Sequence, residues 1–185
     1  MKMQETSLPG VVLIEPAEFV DNRGTLMECF RASRFHTAGI ASNFVQDNLT
    51  TSSKRVLRGL HLQHPHDQSK LIQVLAGEIF DVAVDVRVGS PHFGQWTGHV
   101  LSSTNRHQLY VPSGFAHGFA VIGEQAQVWY KCTAEYRLAA ALTIRWDDPA
   151  IGIRWPHPDV VMAARDRDAA CLADIPSERL PRYHE

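Results

Sequence analysis

Hydrophobic and polar residues alternate along much of the chain, most clearly in the segment FDVAVDVR at residues 80–87. Large apolar side chains occupy the even positions, whereas Asp81, Ala83, Asp85 and Arg87 occupy the odd ones. Successive side chains of a strand point to opposite faces, so this pattern predicts a β-strand with one buried face. The two aspartates then lie on an exposed or structural face rather than in an active site.

Similar segments predict further strands along the chain. The run KLIQVL at residues 70–75 ends at Ala76-Gly77, a dipeptide that favours a hairpin turn into the strand at residues 80–87. Turn sequences such as DNRG at residues 21–24 and PSG at residues 112–114 separate other apolar runs. The remaining predicted strands occupy residues 11–15, 25–30, 44–50, 56–63, 99–102, 108–111, 118–122, 125–132 and 143–146.

Helical patterns are scarce, and only residues 32–38 and a short stretch within residues 159–168 predict helices. Many short, regularly spaced strands are typical of a sandwich or a barrel, and here they favour a double-sheet jelly roll. The length of 185 residues suits one domain, residues 1–185, with the jelly roll at about residues 43–146. We expect a ligand to bind at the open end of such a barrel.

Composition and charge narrow the classes of partner. Hydrophobic residues make up 44% of the chain and charged residues 21%, as in ordinary globular proteins. The formal net charge of −2 argues against a general nucleic-acid binder or a membrane-surface protein. We find no signal peptide or membrane-spanning run, and Cys29, Cys132 and Cys171 suggest neither a disulfide framework nor a CxxC metal site. We therefore expect a cytoplasmic protein without nucleic-acid or membrane partners.

The segment RVLRGLHLQHPHDQSK at residues 55–70 places three histidines within six positions. HPH at residues 64–66 and PSGFAH at residues 112–117 resemble the metal-binding pattern of cupin-type jelly rolls, which also contains a glutamate. Lys70 stands at the glutamate position, and an ammonium group beside a divalent cation is unfavourable. We therefore expect no metal and interpret His64 and His66 as exposed loop histidines, although three neutral imidazoles could still hold an ion.

The same segment also suits proton transfer. Removing a proton next to a carbonyl needs an imidazole held in one tautomer, a cation near the developing enolate oxygen, and an acid that returns the proton. His61 can serve as the base, Lys70 as the enolate stabiliser, and Tyr130 as the acid. The alternating pattern alone gives no sign that these three residues converge.

Segments spread over nearly the whole chain resemble one enzyme family in order and spacing: IEPAEFVDNRGTLMECF, FVQDN, VLRGLHLQ, KLIQVLAGEIFDVAVDVRVGSPHFGQW, QLYVPSGFAHGF, YKCT, RWDDPAIGIRWP and ARD. The family is that of the dTDP-4-dehydrorhamnose 3,5-epimerases, metal-free enzymes of activated-sugar biosynthesis. The resemblance implies a cupin-type double-sheet jelly-roll barrel with a few short peripheral helices and no cofactor. It also implies a dTDP-4-keto-6-deoxy sugar as substrate, and a homodimer in which an N-terminal strand joins the partner's sheet. Residues 11–15 are the candidate for that strand.

The resemblance assigns catalytic roles to individual residues. It implies that His61 is the general base, that Asp166 orients it, and that Tyr130 is the opposing acid. It further implies that Lys70 and His117 line the sugar pocket.

The carboxylate assignment has competitors within a few residues. Asp159 and Asp168 lie close to Asp166 in the sequence. Without the resemblance, any of the three would more often be a solvated surface acid.

The resemblance also implies a set of substrate-binding residues. Tyr136 would stack on the thymine, as an aromatic face can. Strict alternation places Arg58 and His61 on opposite faces of one strand, but a bulge at Gly59 would turn both toward the barrel mouth. Guanidinium groups suit a diphosphate because they bind oxygens in pairs. The residues implied to hold the rest of the nucleotide diphosphate-sugar are Arg23, Glu28, Gln46, Asn48, Arg58 and Arg165.

Four positions depart from the family pattern. Leu62 replaces an aromatic residue, Leu49 a histidine, Glu135 a tyrosine and Ala141 an acidic residue. These changes leave the base, the acid and the lysine in place, but they can reshape the sugar or base pocket. Inversion at C3, at C5 or at both therefore stays open, as does the final deoxysugar, rhamnose or another. A metal-dependent cupin and a non-catalytic sugar-nucleotide binder are the remaining alternatives.

Overall fold

Antiparallel β-sheet forms the framework of the structure, a computed structural model that describes residues 1–40 and 43–184. The first sheet contains, from one edge to the other, β1 (Lys2–Glu5), β2 (Val12–Glu15), β10 (Gln108–Val111), β7 (Lys70–Ala76), β12 (Gln125–Cys132) and β5 (Gln46–Ser53). The second sheet contains β13 (Ala141–Thr143), β6 (Leu57–Gln63), β11 (Phe115–Val121), β8 (Glu78–Asp85) and β9 (Trp96–Ser102). A two-stranded hairpin pairs β3 (Glu18–Asp21) with β4 (Gly24–Met27).

The two sheets face each other around a buried apolar layer, to which both contribute. This interior layer includes Ile72 and Val128 from the first sheet and Ile79 and Phe119 from the second. Further apolar clusters cover the outer faces. The chain after β13 covers the second sheet, where residues such as Ile151 share one cluster with Leu60, Val82 and Val84. The predicted double-sheet jelly-roll barrel is confirmed.

Helices are few and peripheral, as predicted. They are α1 (Ala32–Thr37) and α2 (Ala164–Arg167), with one-turn 3₁₀ helices at Leu138–Ala140, Leu172–Asp174 and Ser177–Arg179. Within the described residues, no helix is long and apolar enough to cross a membrane.

The predicted strands agree with the observed ones to within a few residues, and β10 and β12 have the predicted bounds. The strands β1 and β3 were missed. Nearly all of their residues are exposed, so neither strand has a buried face that would produce an alternating pattern.

The hairpin predicted at Ala76-Gly77 is wrong, because β7 and β8 belong to different sheets. Gly77 has φ +78°, and a Cβ at this position would lie 1.9 Å from the carbonyl oxygen of Gln125. The chain therefore turns a corner here and crosses from the first sheet to the second, at a position that requires glycine.

The single buried face predicted for residues 80–87 is also wrong, because both faces are covered. Val82 and Val84 lie in the outer cluster, whereas Ala83 lies in the interior layer. Asp81 and Asp85 are fully buried, which excludes the exposed face expected as one alternative for them. Local alternation could not reveal this, since the outer cover comes from residues about 70 positions later in the chain.

The strand predicted to join a partner's sheet, β2, lies inside its own sheet between β1 and β10. The edge open to another chain on this side is therefore β1 rather than β2.

Candidate active site

A cavity of about 220 Å³ opens between the two sheets and is lined mainly by polar side chains. The predicted site residues that line it are Gln46, Asn48, His61, Lys70, Tyr130, Tyr136 and Arg165. The other lining residues are Leu62, Gln63, Gln68, Cys132, Ala141, Leu142 and Thr143. Because His61 is on β6 and Lys70 and Tyr130 are on β7 and β12, the two sheets supply different parts of the candidate machinery.

His61 is paired with Asp166. Its Nε2 lies 2.8 Å from Oδ1 of Asp166, whose side chain is 3% exposed. The other carboxylate oxygen accepts the backbone N–H of Gly59 at 3.4 Å, and Nε of Arg165 lies 3.3 Å from Oδ1. With Nε2 donating its hydrogen to Asp166, Nδ1 keeps its lone pair and is the nitrogen that can accept a proton.

The surroundings of this pair set its protonation state. Burial lowers the pKa of His61, although the hydrogen bond and charge of Asp166 oppose this effect. Burial would raise the pKa of Asp166, but the hydrogen bond and charge of His61 and the N–H of Gly59 hold that pKa below its usual value. The pair is therefore an ionised carboxylate beside a neutral imidazole at neutral pH, which is the form that a general base requires.

The structure separates Asp166 from the two other aspartates considered in the sequence. Val161 precedes α2 and pairs in parallel with Val56, the residue before β6. This pairing brings α2 to the edge of β6. Asp166 is thereby buried beside His61, whereas Asp168 is exposed and Asp159 pairs with an arginine at the surface.

A β-bulge interrupts β6 between Arg58 and His61, as predicted. The register with β11 shifts between these two residues. Gly59 has φ +142°, and a Cβ there would lie 2.6 Å from Cα of Gly118, so only glycine permits this approach. Arg58 reaches the first sheet, where its Nε donates to Oγ of Ser52 at 3.0 Å. It is not among the cavity-lining residues.

Lys70 and Tyr130 line the cavity from the first sheet. Burial lowers the pKa of Lys70, and the negative charge of buried Asp81 acts in the opposite direction. Burial also raises the pKa of Tyr130, so the phenol keeps its proton at neutral pH. Among the described residues, Lys70 takes part in no ion pair. Its ammonium group is therefore available to a ligand.

Three further predicted residues form one side of the cavity. Gln46 donates from Nε2 to Oδ1 of Asn48 at 3.0 Å, and its Oε1 accepts the backbone N–H of Tyr136 at 2.7 Å. Tyr136 is 50% exposed, which leaves much of its ring open to solvent. A half-exposed aromatic ring beside two amide side chains is suited to binding a planar polar group.

His117 lies outside the cavity lining. It is the cross-strand neighbour of His61 and is 7% exposed. Its Nε2 lies 3.0 Å from each carboxylate oxygen of Asp81. The structure therefore places His117 beside the base on the neighbouring strand, and its contact with the substrate stays a prediction.

Arg23 and Glu28 also lie outside the cavity lining of their own chain. The guanidinium group of Arg23 pairs with Asp21 in the hairpin of β3 and β4. Glu28 follows this hairpin and pairs with Arg31 and Arg34.

The loop histidines His64 and His66 contact neighbouring polar side chains. Nδ1 of His64 lies 2.7 Å from Oδ1 of Asp67, and Nε2 of His66 lies 3.0 Å from Nη1 of Arg137. His66 is exposed as expected, whereas His64 is only partly exposed. No group of three or more potential His, Cys, Asp or Glu ligands was found in the described part of the chain.

Sequence reasoning missed several lining residues that lie two positions from predicted ones. Gln63 follows His61 on β6 and Cys132 follows Tyr130 on β12, so each shares a face with its predicted neighbour. Period-2 counting from His61 and Tyr130 would have found both.

A barrel that presents a carboxylate-bound imidazole, a partly buried lysine and a protonated tyrosine to one cavity is suited to moving protons on and off a carbon acid. The family model for dTDP-4-dehydrorhamnose 3,5-epimerase matches residues 5–174. The chain belongs to this family.

Curated relatives agree with this assignment. The chain is 52% identical over 156 residues to a dTDP-4-dehydrorhamnose 3,5-epimerase of Neisseria gonorrhoeae, a match that covers 84% of this chain and 48% of the relative. The chain thus spans about half the length of that protein. It is 45% identical to the enzyme of the same name from Methanothermobacter thermautotrophicus, with 93% of this chain and 95% of the relative covered.

Solved structures share the fold over nearly the full chain. A dTDP-6-deoxy-D-glucose-3,5-epimerase from Legionella pneumophila in complex with dTDP-4-keto-L-rhamnose is 45% identical, with a TM-score of 0.97 and coverage of 100% of this chain and 99% of that one. A 3′-monoepimerase from Streptomyces bikiniensis in complex with dTDP-quinovose is 32% identical, with a TM-score of 0.90 and coverage of 98% and 93%.

Proposed function

We propose that this protein is an epimerase that inverts C3 and C5 of a dTDP-4-keto-6-deoxyhexose in deoxysugar biosynthesis, with dTDP-L-rhamnose as the pathway product. The observation that carries the proposal is the His61–Asp166 pair beside a cavity that Lys70 and Tyr130 also line. The 45% identity to an epimerase solved with dTDP-4-keto-L-rhamnose supports this substrate class.

The chemistry begins with the base. A ketone at C4 acidifies the hydrogens on C3 and C5, and Nδ1 of His61 takes one of them while Asp166 stabilises the imidazolium that forms. A general base of this kind contributes about 10²–10⁴-fold in rate.

The enolate and its reprotonation involve the other sheet. The Lys70 ammonium group stabilises the oxygen at C4 as negative charge develops there, a contribution of roughly 3 kcal/mol for a well-placed donor. Tyr130 returns a proton from the side opposite to His61, since the two residues belong to different sheets. Removal from one side and return from the other inverts the carbon.

The rest of the nucleotide sugar binds along the cavity rim. Tyr136 stacks on the thymine, and Gln46, Asn48, Arg58 and Arg165 bind the sugar and diphosphate. Arg165 is exposed beside the cavity, where its guanidinium group can meet a phosphate. His117, the cross-strand neighbour of His61, contacts the sugar.

Arg23 and Glu28 fit this proposal through a homodimer. The hairpin of β3 and β4 exposes Phe19 (60%), Val20 (75%) and Leu26 (70%), and a second copy that covers this surface would bring Arg23 and Glu28 toward the partner's cavity. Size-exclusion chromatography with light scattering tests this dimer, which a monomer at micromolar concentration would contradict. A cytoplasmic location and a single domain over residues 1–185 complete the proposal.

The decisive experiment is proton NMR of dTDP-4-keto-6-deoxyglucose incubated with EDTA-treated protein in D₂O. Deuterium at both C3 and C5 with inversion supports the double epimerase. Loss of exchange after EDTA, with recovery on adding a metal, would establish the metal-dependent alternative. Bound nucleotide without any exchange would identify a sugar-nucleotide binder.

Exchange at one carbon only would support a mono-epimerase, which is the second candidate function. Leu62 and Ala141, two of the departures from the family pattern, line the cavity directly. A protein described as a 3′-monoepimerase shares the fold with a TM-score of 0.90.

A further inference from the structure

The loop at residues 133–137, between β12 and the 3₁₀ helix Leu138–Ala140, carries Tyr136 at the cavity rim. At its ends, the N–H of Thr133 donates to the carbonyl oxygen of Ser69 at 3.1 Å, and the carbonyl oxygen of Arg137 accepts the N–H of Ala140 at 3.0 Å. Residues 134–136 make no hydrogen bond to another backbone group in the described part of the chain. A loop of this kind depends on side chains or water to satisfy its backbone groups, so the groups that do so determine where the Tyr136 ring lies.

Glutamine side chains hold this loop. Oε1 of Gln46 accepts the N–H of Tyr136 at 2.7 Å, and Nε2 of Gln68 donates to the carbonyl oxygen of Ala134 at 2.7 Å. Both glutamines line the cavity.

Gln63 holds the loop on both sides of Tyr136. Its Nε2 donates to the carbonyl oxygen of Glu135 at 3.2 Å and to that of His66 at 2.6 Å. Its Oε1 accepts the backbone N–H of Arg137 at 2.7 Å. Gln63 is 5% exposed, so water cannot readily replace these bonds.

We propose that Gln63 is a positioning residue for the nucleotide end of the site: it fixes the residues before and after Tyr136 and thereby sets the aromatic ring at the height of the thymine. The inference rests on the proposed function, because that function assigns thymine stacking to Tyr136. Gln63 lies two residues beyond His61 on β6, so one strand carries the base and holds the loop that carries the nucleotide-binding ring.

The test is the dissociation constant of dTDP, measured by isothermal titration calorimetry for Gln63→Met. Methionine keeps the length of the side chain but leaves Glu135 and Arg137 without their partner. We expect binding to weaken about tenfold and KM to rise in proportion, with kcat within about threefold of the unmodified protein. Gln125→Met is the matched control, since Gln125 is exposed at the far end of β12, and it should change neither constant.

A double-mutant cycle separates positioning from a general loss of structure. If Gln63 acts through Tyr136, Gln63→Met should cause no further loss of dTDP affinity in a Tyr136→Ala background. Equal losses in both backgrounds would overturn the inference. So would a fall in kcat with unchanged dTDP affinity, because Gln63 would then act on His61.

Gln63→Glu covers the case in which Gln63→Met does not fold. It keeps the acceptor for Arg137 but loses the donor to Glu135 and His66, and it should weaken dTDP binding severalfold. Unchanged affinity in this variant would also contradict the inference. If the proposed function is wrong, the unmodified protein catalyses no deuterium exchange. The dTDP dissociation constants of the variants still test the role of Gln63 in that case. A protein that binds no dTDP at all would overturn both.

Discussion

His61 and Asp166 are 105 residues apart in sequence, yet Nε2 of the histidine and Oδ1 of the aspartate are 2.8 Å apart. The carboxylate of Asp166 is buried, and the imidazole of His61 faces the cavity. The second carboxylate oxygen accepts the backbone N–H of Gly59, which lies on β6 with His61. The bond between His61 and Asp166 leaves Nδ1 as the only ring nitrogen able to accept a proton.

Asp166→Asn should lower kcat by about 10²–10⁴-fold, because the amide loses the charge that stabilises the imidazolium and can favour the wrong tautomer. A coupled assay of epimerisation measures this effect. Asp168→Asn is the matched control, because Asp168 is an exposed residue two positions after Asp166. This variant should leave kcat unchanged. Similar losses in both variants would contradict the pairing.

The pH dependence of kcat/KM follows from the His61–Asp166 pair. Burial lowers the pKa of His61 below its ordinary 6.5, so kcat/KM should rise with pH through a step below 6.5 as the imidazole loses its proton. Because Asp166 raises this pKa, Asp166→Asn should move the step to lower pH while reducing the rate. The pKa of Lys70 is also lowered by burial, so the fall in rate at high pH should begin below 10.5. A pH–rate profile with its acid step above 6.5 would contradict this reasoning.

Tyr130→Phe should separate proton removal from inversion. His61 still removes the proton, but the return from the opposite side is lost, so deuterium should enter the substrate in D₂O while the rate of inverted product falls about 10²–10⁴-fold. NMR of recovered substrate and product measures both. Equal loss of exchange and inversion would mean that Tyr130 is needed before the enolate forms.

Gly59→Ala should lower the free energy of unfolding by about 1–3 kcal/mol and reduce activity, because alanine is strained at φ +142° and its Cβ would clash with Gly118. Thermal unfolding and the epimerase assay measure the two effects. Gly123→Ala is the control, since a Cβ there meets nothing within 4 Å and φ is not positive. A stable, fully active Gly59→Ala protein would show that the bulge does not position His61.

Local patterns predicted most of the fold, since a strand such as β12 has a buried face that leaves an alternating signature. The turn at Gly77 was misassigned because a hairpin and a corner between sheets require the same glycine conformation. The carboxylate could not be chosen from residue patterns alone. Asp159, Asp166 and Asp168 are chemically identical, and only the path of the chain beside β6 distinguishes them.

The position of Asp166 in α2, after the strands, also has a consequence for the synthesis of the protein chain. Every strand of both sheets precedes it in the chain, and His61 leaves the ribosome 105 residues earlier. A nascent chain that has completed its barrel therefore carries a histidine without its orienting carboxylate. Catalytic competence then arrives only when the segment that follows β13 docks on the finished sheets.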